Sequence, residues 1–404
     1  MVKVTFLTFH ICLRGGFLMS KNSLWTKNFI LISAANFFFI VTYFALLVTL
    51  PTVAITHFGS TSTVAGLFTT VYIGAAIIIR PFMGPWIEAH GKRFMLIVSL
   101  ALFTTASFFY SFFDSIVLLL VIRFIHGFGF GMATTITVVI IADIVPESRK
   151  GEGMGYFILS TNLGMVIGPF IGLTILDGFG LYVLFWASAF CSLISFLFCL
   201  AAHLPEENLV KRFAGEKRAP LFEKSALRIS FTGAFFGTAY ASVLSFMAVF
   251  AVEKGLGPES SYFFIVYVII LLLTRPLTSR WYDQYGANTI IFPAIVSFAI
   301  GMFLLGMTTN ALLFFIAAAF IGGGWGTLFP SFQTIVLQNS EPKRRPVALA
   351  TFLSIFDIGI SGGSLLAGVL VSVISFSSLY IFYSIYIVVG LLVYYWSQKK
   401  ESYI

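Results

Sequence analysis

Apolar runs of about 20 residues recur along the whole chain, separated by short stretches of Gly, Pro, Asn, Ser and charged residues. Each run is long enough to cross the hydrocarbon core of a bilayer as a helix. A helix satisfies its own backbone hydrogen bonds, which lipid cannot do. The alternating pattern of a membrane β-barrel is absent. The pattern predicts twelve spans, at 28–52, 62–82, 94–112, 116–140, 153–175, 181–203, 229–251, 260–279, 288–308, 312–338, 347–373 and 377–397. Residues 204–228 form the longest polar stretch and read as a linker between a six-helix half at 19–203 and another at 229–404.

The cations sort by side. With both termini cytoplasmic, the inner segments hold Lys21, Lys27, Lys92, Arg93, Arg149, Lys150, the cations from Lys211 to Arg228, Arg280, Lys343 to Arg345, Lys399 and Lys400. Arg80 and Arg275 lie towards the inner ends of helices 2 and 8. Of 24 Lys and Arg, only Lys254 and the intramembrane Arg123 fall elsewhere. The positive-inside rule then places both termini in the cytoplasm and supports an even number of spans.

Composition agrees: 59% of the 404 residues are hydrophobic and 10% charged, against roughly 25% charged in a soluble domain. The net charge of +8 follows from the inner loops, so no nucleic-acid partner is expected. Cys12, Cys191 and Cys199 lack metal-ligand spacing. At the start, Arg14-Gly15-Gly16 precedes Met19. Residues 1–18 therefore read as translated leader or a mis-assigned start, the other reading being a short tail. They lack a signal-peptide cleavage pattern.

The second half echoes the first at an offset of 195 residues. Val71-Tyr72 recurs as Val266-Tyr267, and Arg80-Pro81 as Arg275-Pro276. Trp86, Glu88 and Gly91 recur as Trp281, Asp283 and Gly286. Gly127, Gly129 and Gly131 recur as Gly322, Gly324 and Gly326, and Gly164 and Gly168 as Gly359 and Gly363. Two six-helix repeats about an axis normal to the membrane place a binding site between the halves near the midplane.

Three motifs carry a family resemblance that covers nearly the whole chain from Met19. Gly84-Pro85-Trp86-Ile87-Glu88-Ala89-His90-Gly91-Lys92-Arg93 resembles the loop 2–3 gating motif of the major facilitator superfamily. Glu88 stands for its Asp, and Ala89 replaces the Arg that usually follows. Gly84 would let helices approach closely, Gly91 would permit a tight turn, and Lys92 and Arg93 would hold the loop in the cytoplasm. Arg123-Phe124-Ile125-His126-Gly127-Phe128-Gly129 resembles the helix 4 motif associated with coupling in proton-linked members. A bare intramembrane arginine needs a polar partner or a watery cavity, or else it snorkels outward. His126 lies one turn on, where it either titrates or is simply packed. Gly155, Gly164, Gly168, Pro169 and Gly172 resemble the helix 5 motif of the drug:proton antiporters. Their spacing gives a smooth stripe for helix packing, expected at the interface of the halves. Asp143, Pro146, Arg149 and Gly151 resemble the family's loop 4–5.

The resemblance implies an all-α membrane protein with the major facilitator fold: twelve transmembrane helices in two pseudo-symmetric halves. It also implies a cavity lined by helices 1, 4, 7 and 10, for which Asn36, Phe236, Tyr240, Trp325 and Gln333 are candidate lining residues. Asp357, about ten residues into helix 11, is the first candidate proton carrier; its repeat mate is Asn162. The alternative is a gate residue hydrogen-bonded across to helix 2. Helix 1 carries no acid. The 48 phenylalanines suit an aromatic substrate or a lipid-facing surface.

No phosphate-binding loop of the Gly-x4-Gly-Lys-Ser/Thr type and no metal cluster or nucleophile elbow occurs in the sequence. The expectation is therefore not an enzyme and not an ATP-driven pump. It is a cofactor-free multi-pass carrier in the inner or plasma membrane, a monomer whose partners are lipid, protons and a small-molecule substrate. The proton gradient would drive efflux of amphipathic, drug-like molecules by antiport. A carrier of a sugar, siderophore or other metabolite is the second expectation, and a non-transporting membrane sensor the third.

Overall fold

The computed structural model describes residues 24–146, 149–204, 222–341 and 344–398. The expected leader at 1–18, and most of the expected linker, fall outside them. Twelve long helices run in sequence: α1 (Lys27–Thr56), α2 (Ser62–His90), α3 (Lys92–Phe109), α4 (Ile116–Ile144), α5 (Lys150–Phe179), α6 (Leu181–Ala201), α7 (Leu227–Glu253), α8 (Glu259–Tyr285), α9 (Ala287–Gly306), α10 (Ala311–Gln338), α11 (Arg345–Val371) and α12 (Phe376–Gln398). Among the described residues no strand occurs. Within the described residues, eleven helices are long and apolar enough to cross a bilayer. The other, α8, has an apolar run at 263–273 followed by Arg275 and Arg280, and it takes the place in its half that α2 takes in the first.

Local chemistry sets the ends. The Thr26 hydroxyl accepts from the Phe29 amide (3.2 Å) and the Asn310 side chain accepts from the Leu313 amide (3.0 Å), each satisfying an orphan donor of a first turn. Gly91 (φ 84°) and Gly286 (φ 83°) each form a one-residue joint between two helices, a backbone conformation open to glycine at little cost. Helix α2 thus runs on through Gly84 and Glu88 to His90, eight residues past its expected end at 82. The motif expected as a loop is mostly helix, and only its Gly91 turns the chain.

The halves pack alike. In each, the first helix lies along the fifth, the second along the fourth, and the third against the fourth and sixth. The glycines show that the repeat extends to atomic neighbours. A Cβ on Gly127 would strike the Tyr72 carbonyl, and one on Gly322 the Tyr267 carbonyl. Likewise Gly129 faces Phe103, and Gly324 faces Phe298. Each contact recurs 195 residues on. Helices α1 and α7 are the most deeply buried. Large apolar side chains such as Phe190, Leu312, Ile385 and Leu392 cover the outside, the surface that a bilayer solvates.

The halves meet between the buried helices α1 and α7 and along two flanking seams. Helix α2 lies along α11, and α5 lies more loosely along α8. At one end of the bundle sit Lys92, Arg149 and Arg344, the basic end. There Lys92 pairs with Asp143, joining the α2–α3 turn to the end of α4, and Arg344 pairs with Glu223.

Candidate functional site

Two aromatic clusters, one per half, occupy the centre. Tyr43 of α1 stacks on Phe130 of α4 (4.3 Å between centroids) and on Tyr72 of α2 (5.1 Å). In the second half Tyr240 of α7 stacks on Trp325 of α10 (4.5 Å) and faces Tyr267 of α8 (6.4 Å). Tyr72 and Phe130 correspond to Tyr267 and Trp325 across the repeat. Arg123 lies over the Tyr72 ring of the first cluster, and Arg275 borders the same cleft as Tyr267 and Trp325 of the second.

Arg123 is fully buried. Its Nε donates to the Phe68 carbonyl (3.3 Å), and its guanidinium carbon lies 3.9 Å over the Tyr72 ring. Its two Nη atoms have no hydrogen-bond partner among the described residues. The side chain points inward to α2 and does not snorkel. His126 is buried between α3 and α4, its Nε2 3.1 Å from the Ser107 hydroxyl and its Nδ1 3.3 Å from the Tyr110 hydroxyl. Both ring nitrogens are engaged within one half.

Asp357 crosses the seam. Its Oδ2 accepts from Arg80 Nη1 at 2.5 Å. Among the described residues this is the ion pair that joins the halves, and the two side chains are 18% (Arg80) and 20% (Asp357) exposed, so the pair is mostly but not wholly covered. The repeat-related position holds a neutral version. With its amide oriented by the hydrogen-bond pattern, the Asn162 carbonyl accepts from Arg275 Nη1 at 3.0 Å and Nη2 at 3.3 Å. Sequence reading had placed both arginines merely at inner helix ends. The signal that finds them is the double recurrence at 195: Arg80 with Arg275, and Asn162 with Asp357.

From this level to the other end, the α2–α11 seam is a ladder of small polar groups. Thr70 Oγ1 donates to the Ser361 carbonyl (2.8 Å), and Ser361 Oγ donates back to the Thr70 carbonyl (3.2 Å). Ser364 Oγ donates to the Gly66 carbonyl (3.2 Å) and lies 2.8 Å from Ser245 Oγ, which lies 3.1 Å from Thr69 Oγ1. All described hydrogen bonds between the halves lie at or beyond the Arg80 level from the basic end. Among the described residues, hydrogen bonds latch the halves from this level to the far end.

The motif glycines divide. Gly164, Gly168 and Gly172 press against Ile40, Phe44 and Ala45 of α1. The stripe therefore packs α5 onto α1 of its own half, while the helix itself borders α8 at the interface of the halves. A Cβ on Gly84 or Gly155 would meet nothing within 4 Å, so Gly84 makes no close helix approach among the described residues. The helix continues through Pro169. Glu88 and Arg93 are exposed.

Of the candidate lining residues, Asn36 donates to Ser160 Oγ (2.9 Å) and Thr161 Oγ1 (2.8 Å) of α5, and Phe236 stacks on Phe332 inside its own half. Gln333 is half-buried. Trp325 borders a cleft of about 30 Å³ between α5, α8 and α10, beside Asn162, Arg275, Tyr267 and Phe329. A second cleft of about 390 Å³ opens at the far end, lined by Thr52, His57, Asp177, Val252 and Ser260.

The comparisons with known proteins match this architecture. The family model described as Major Facilitator Superfamily matches residues 32–336 and 258–403. An MFS-type transporter of Methanocaldococcus jannaschii is 24% identical over 83% of this chain and 89% of its own. The staphylopine export protein of Staphylococcus aureus is 22% identical over 82% of this chain and 86% of its own. The quinolone resistance protein NorA of the same species is 29% identical over 34% of this chain and 35% of its own. Among solved structures, a nucleoside transporter, NupG, superposes with a TM-score of 0.74 at 15% identity, covering 92% of this chain and 99% of that one, a likeness of fold. The helix pairing, the duplication at 195 residues and the family match together make this multi-span membrane chain a member of the Major Facilitator Superfamily.

Proposed function

We propose that this transporter exports small amphipathic molecules by alternating access, in exchange for protons, from the inner or plasma membrane with both termini in the cytoplasm. The observation that carries the reading is the Arg80–Asp357 ion pair across the α2–α11 seam. An ionised Asp357 holds the two helices together. Its protonation removes half of the pair, and the seam then parts at lower cost. Coupling follows if the proton and the cargo cannot leave Asp357 and the cavity by the same side at once. Each charge moved contributes about 2.3 kcal/mol per 100 mV. The distribution of Lys and Arg supports a cytoplasmic basic end; the latched far end would then face outward.

The test uses purified protein in proteoliposomes, with ethidium as cargo and an imposed proton gradient. Gradient-driven ethidium transport with counter-movement of protons is expected in the wild type, and Asp357→Asn is expected to abolish the dependence on the gradient while leaving downhill exchange. Transport indifferent to the gradient sinks the coupling. Full coupling in Asp357→Asn removes Asp357 from it. A second reading, export of one particular metabolite in place of many drugs, has its own support: the export protein of Staphylococcus aureus aligns over most of the chain, whereas the resistance protein NorA aligns over about a third. A substrate screen in cells lacking the protein separates the two.

A further inference from the structure

Arg275 carries a charge for which the described residues supply no carboxylate. It lies ten residues from the basic end of α8, about 15 Å along the axis at 1.5 Å per residue. Arg80, its repeat mate, is neutralised by Asp357. At the matching place on α5 the chain carries Asn162, whose carbonyl occupies donors of the guanidinium but leaves the charge in place. A cation at such depth is costly without a counter-charge.

The surroundings narrow what that counter-charge could be. Arg275 borders the cleft between α5, α8 and α10, and the walls beside it are Tyr267, Trp325 and Phe329. At about 30 Å³ the cleft admits about one water, and a separation of α5 from α8 would widen it. Against the polar ladder of α2–α11, the described hydrogen bonding of this seam is confined to the Asn162–Arg275 pair. Leu163 and Leu272 at its rim are 38% and 48% exposed, so the cleft adjoins the lipid-facing surface.

We propose that Arg275 is the anchor for an oxyanion, a carboxylate above all, on an aromatic or apolar molecule carried by this transporter. The proposal rests on the transporter reading above for its cargo, but on neither proton coupling nor direction. The neutral Asn162 keeps the anchor available, where an aspartate would occupy it as Asp357 occupies Arg80. An anionic lipid headgroup shares the chemistry and must be told apart.

The test is calorimetric binding to the full chain in phosphatidylcholine nanodiscs without any gradient, with naphthoate and its neutral isostere naphthamide as probes. Wild type is expected to prefer naphthoate by about tenfold or more, the worth of one hydrogen bond to a charged group. Arg275→Gln should erase the preference and Arg275→Lys keep part of it. Asn162→Asp, which supplies the missing acid, should erase it with the arginine still present, so the result survives a poorly folding Arg275 variant. Equal binding of both probes, no binding of naphthoate, or an unchanged preference in Arg275→Gln and Asn162→Asp overturns the proposal. Adding phosphatidylglycerol should leave naphthoate binding intact; its abolition assigns the site to lipid and overturns the cargo. Because binding is read without transport, a failure of proton coupling leaves this result standing.

Discussion

A buried arginine normally signals a buried acid. Arg123 departs from that rule: it has a carbonyl, a tyrosine face and two unsatisfied nitrogens. Such a group lowers stability, because its desolvation is repaid only in part. A side chain that costs stability and is nevertheless present points to a role in transport. Arg123→Met fills similar volume with no charge, and we expect its melting temperature to equal or exceed that of the wild type while gradient-driven transport is lost. A fall of more than about 4 °C, roughly 3 kcal/mol for a chain of this size, would make Arg123 a structural element instead. The same scale shows where sequence reasoning stops. Asp357 was visible as an acid deep in an apolar run, and bonding across to helix 2 was among its readings. Arg80 was not visible as its partner, because an arginine ten residues from a helix end looks the same whether it reaches for water or for another helix. The ladder of Thr69, Thr70, Ser361 and Ser364 was silent for a related reason. Serine and threonine in helices often bond their own backbone, as Thr42 does to the Phe38 carbonyl, and residue type does not reveal which acceptor is used.

At the scale of elements the helices were almost wholly legible, because a bilayer forces each span to announce itself as an apolar run. The exceptions are α8, which falls short of a full apolar run, and its repeat mate α2. The last eight residues of α2 lie beyond the apolar run, where hydropathy carries no signal, and the helix ends only where Gly91 takes a positive φ. Glycine spacing was legible as motif but not as contact, since a helical face is defined by sequence and its neighbour is not. That difference is measurable. Ala at Gly127 would place a methyl against the backbone carbonyl of Tyr72, which cannot swing aside as a side chain would, so Gly127→Ala should cost about 1–3 kcal/mol. Gly322→Ala should cost a similar amount against Tyr267. Gly84→Ala meets open space inside a helix and should be neutral or stabilising by up to about 1 kcal/mol. Denaturation of the three variants in one detergent checks the ranking. If Gly84→Ala proved as damaging as Gly127→Ala, the motif glycine would be packing against something other than this chain.

At the scale of the molecule, the duplication sets up a symmetry that the side chains then break. The two seams are related by the repeat, yet α2–α11 carries an ion pair and a polar ladder, while α5–α8 carries a neutral bond and a cleft. Two equivalent seams would hold the halves equally at both edges and favour no direction of opening. Unequal seams let one act as the latch and the other yield first. The ladder must therefore break in each transport cycle if the far end is to open, since it holds the halves together from the ion pair outward. Thr69 and Ser245 offer a direct check, because their Oγ atoms stand 3.1 Å apart across the seam, near enough for cysteines there to join. The native Cys191 and Cys199 lie on α6, away from that seam. In Thr69→Cys/Ser245→Cys, oxidation should form a crosslink within one chain and stop transport, and reduction should restore it. Opening at the basic end should survive oxidation, read as continued labelling of a cysteine introduced at exposed Glu88. Undiminished transport by the fully oxidised protein would mean that α2 and α7 never part at the far end, and that cargo leaves through the weaker α5–α8 seam alone.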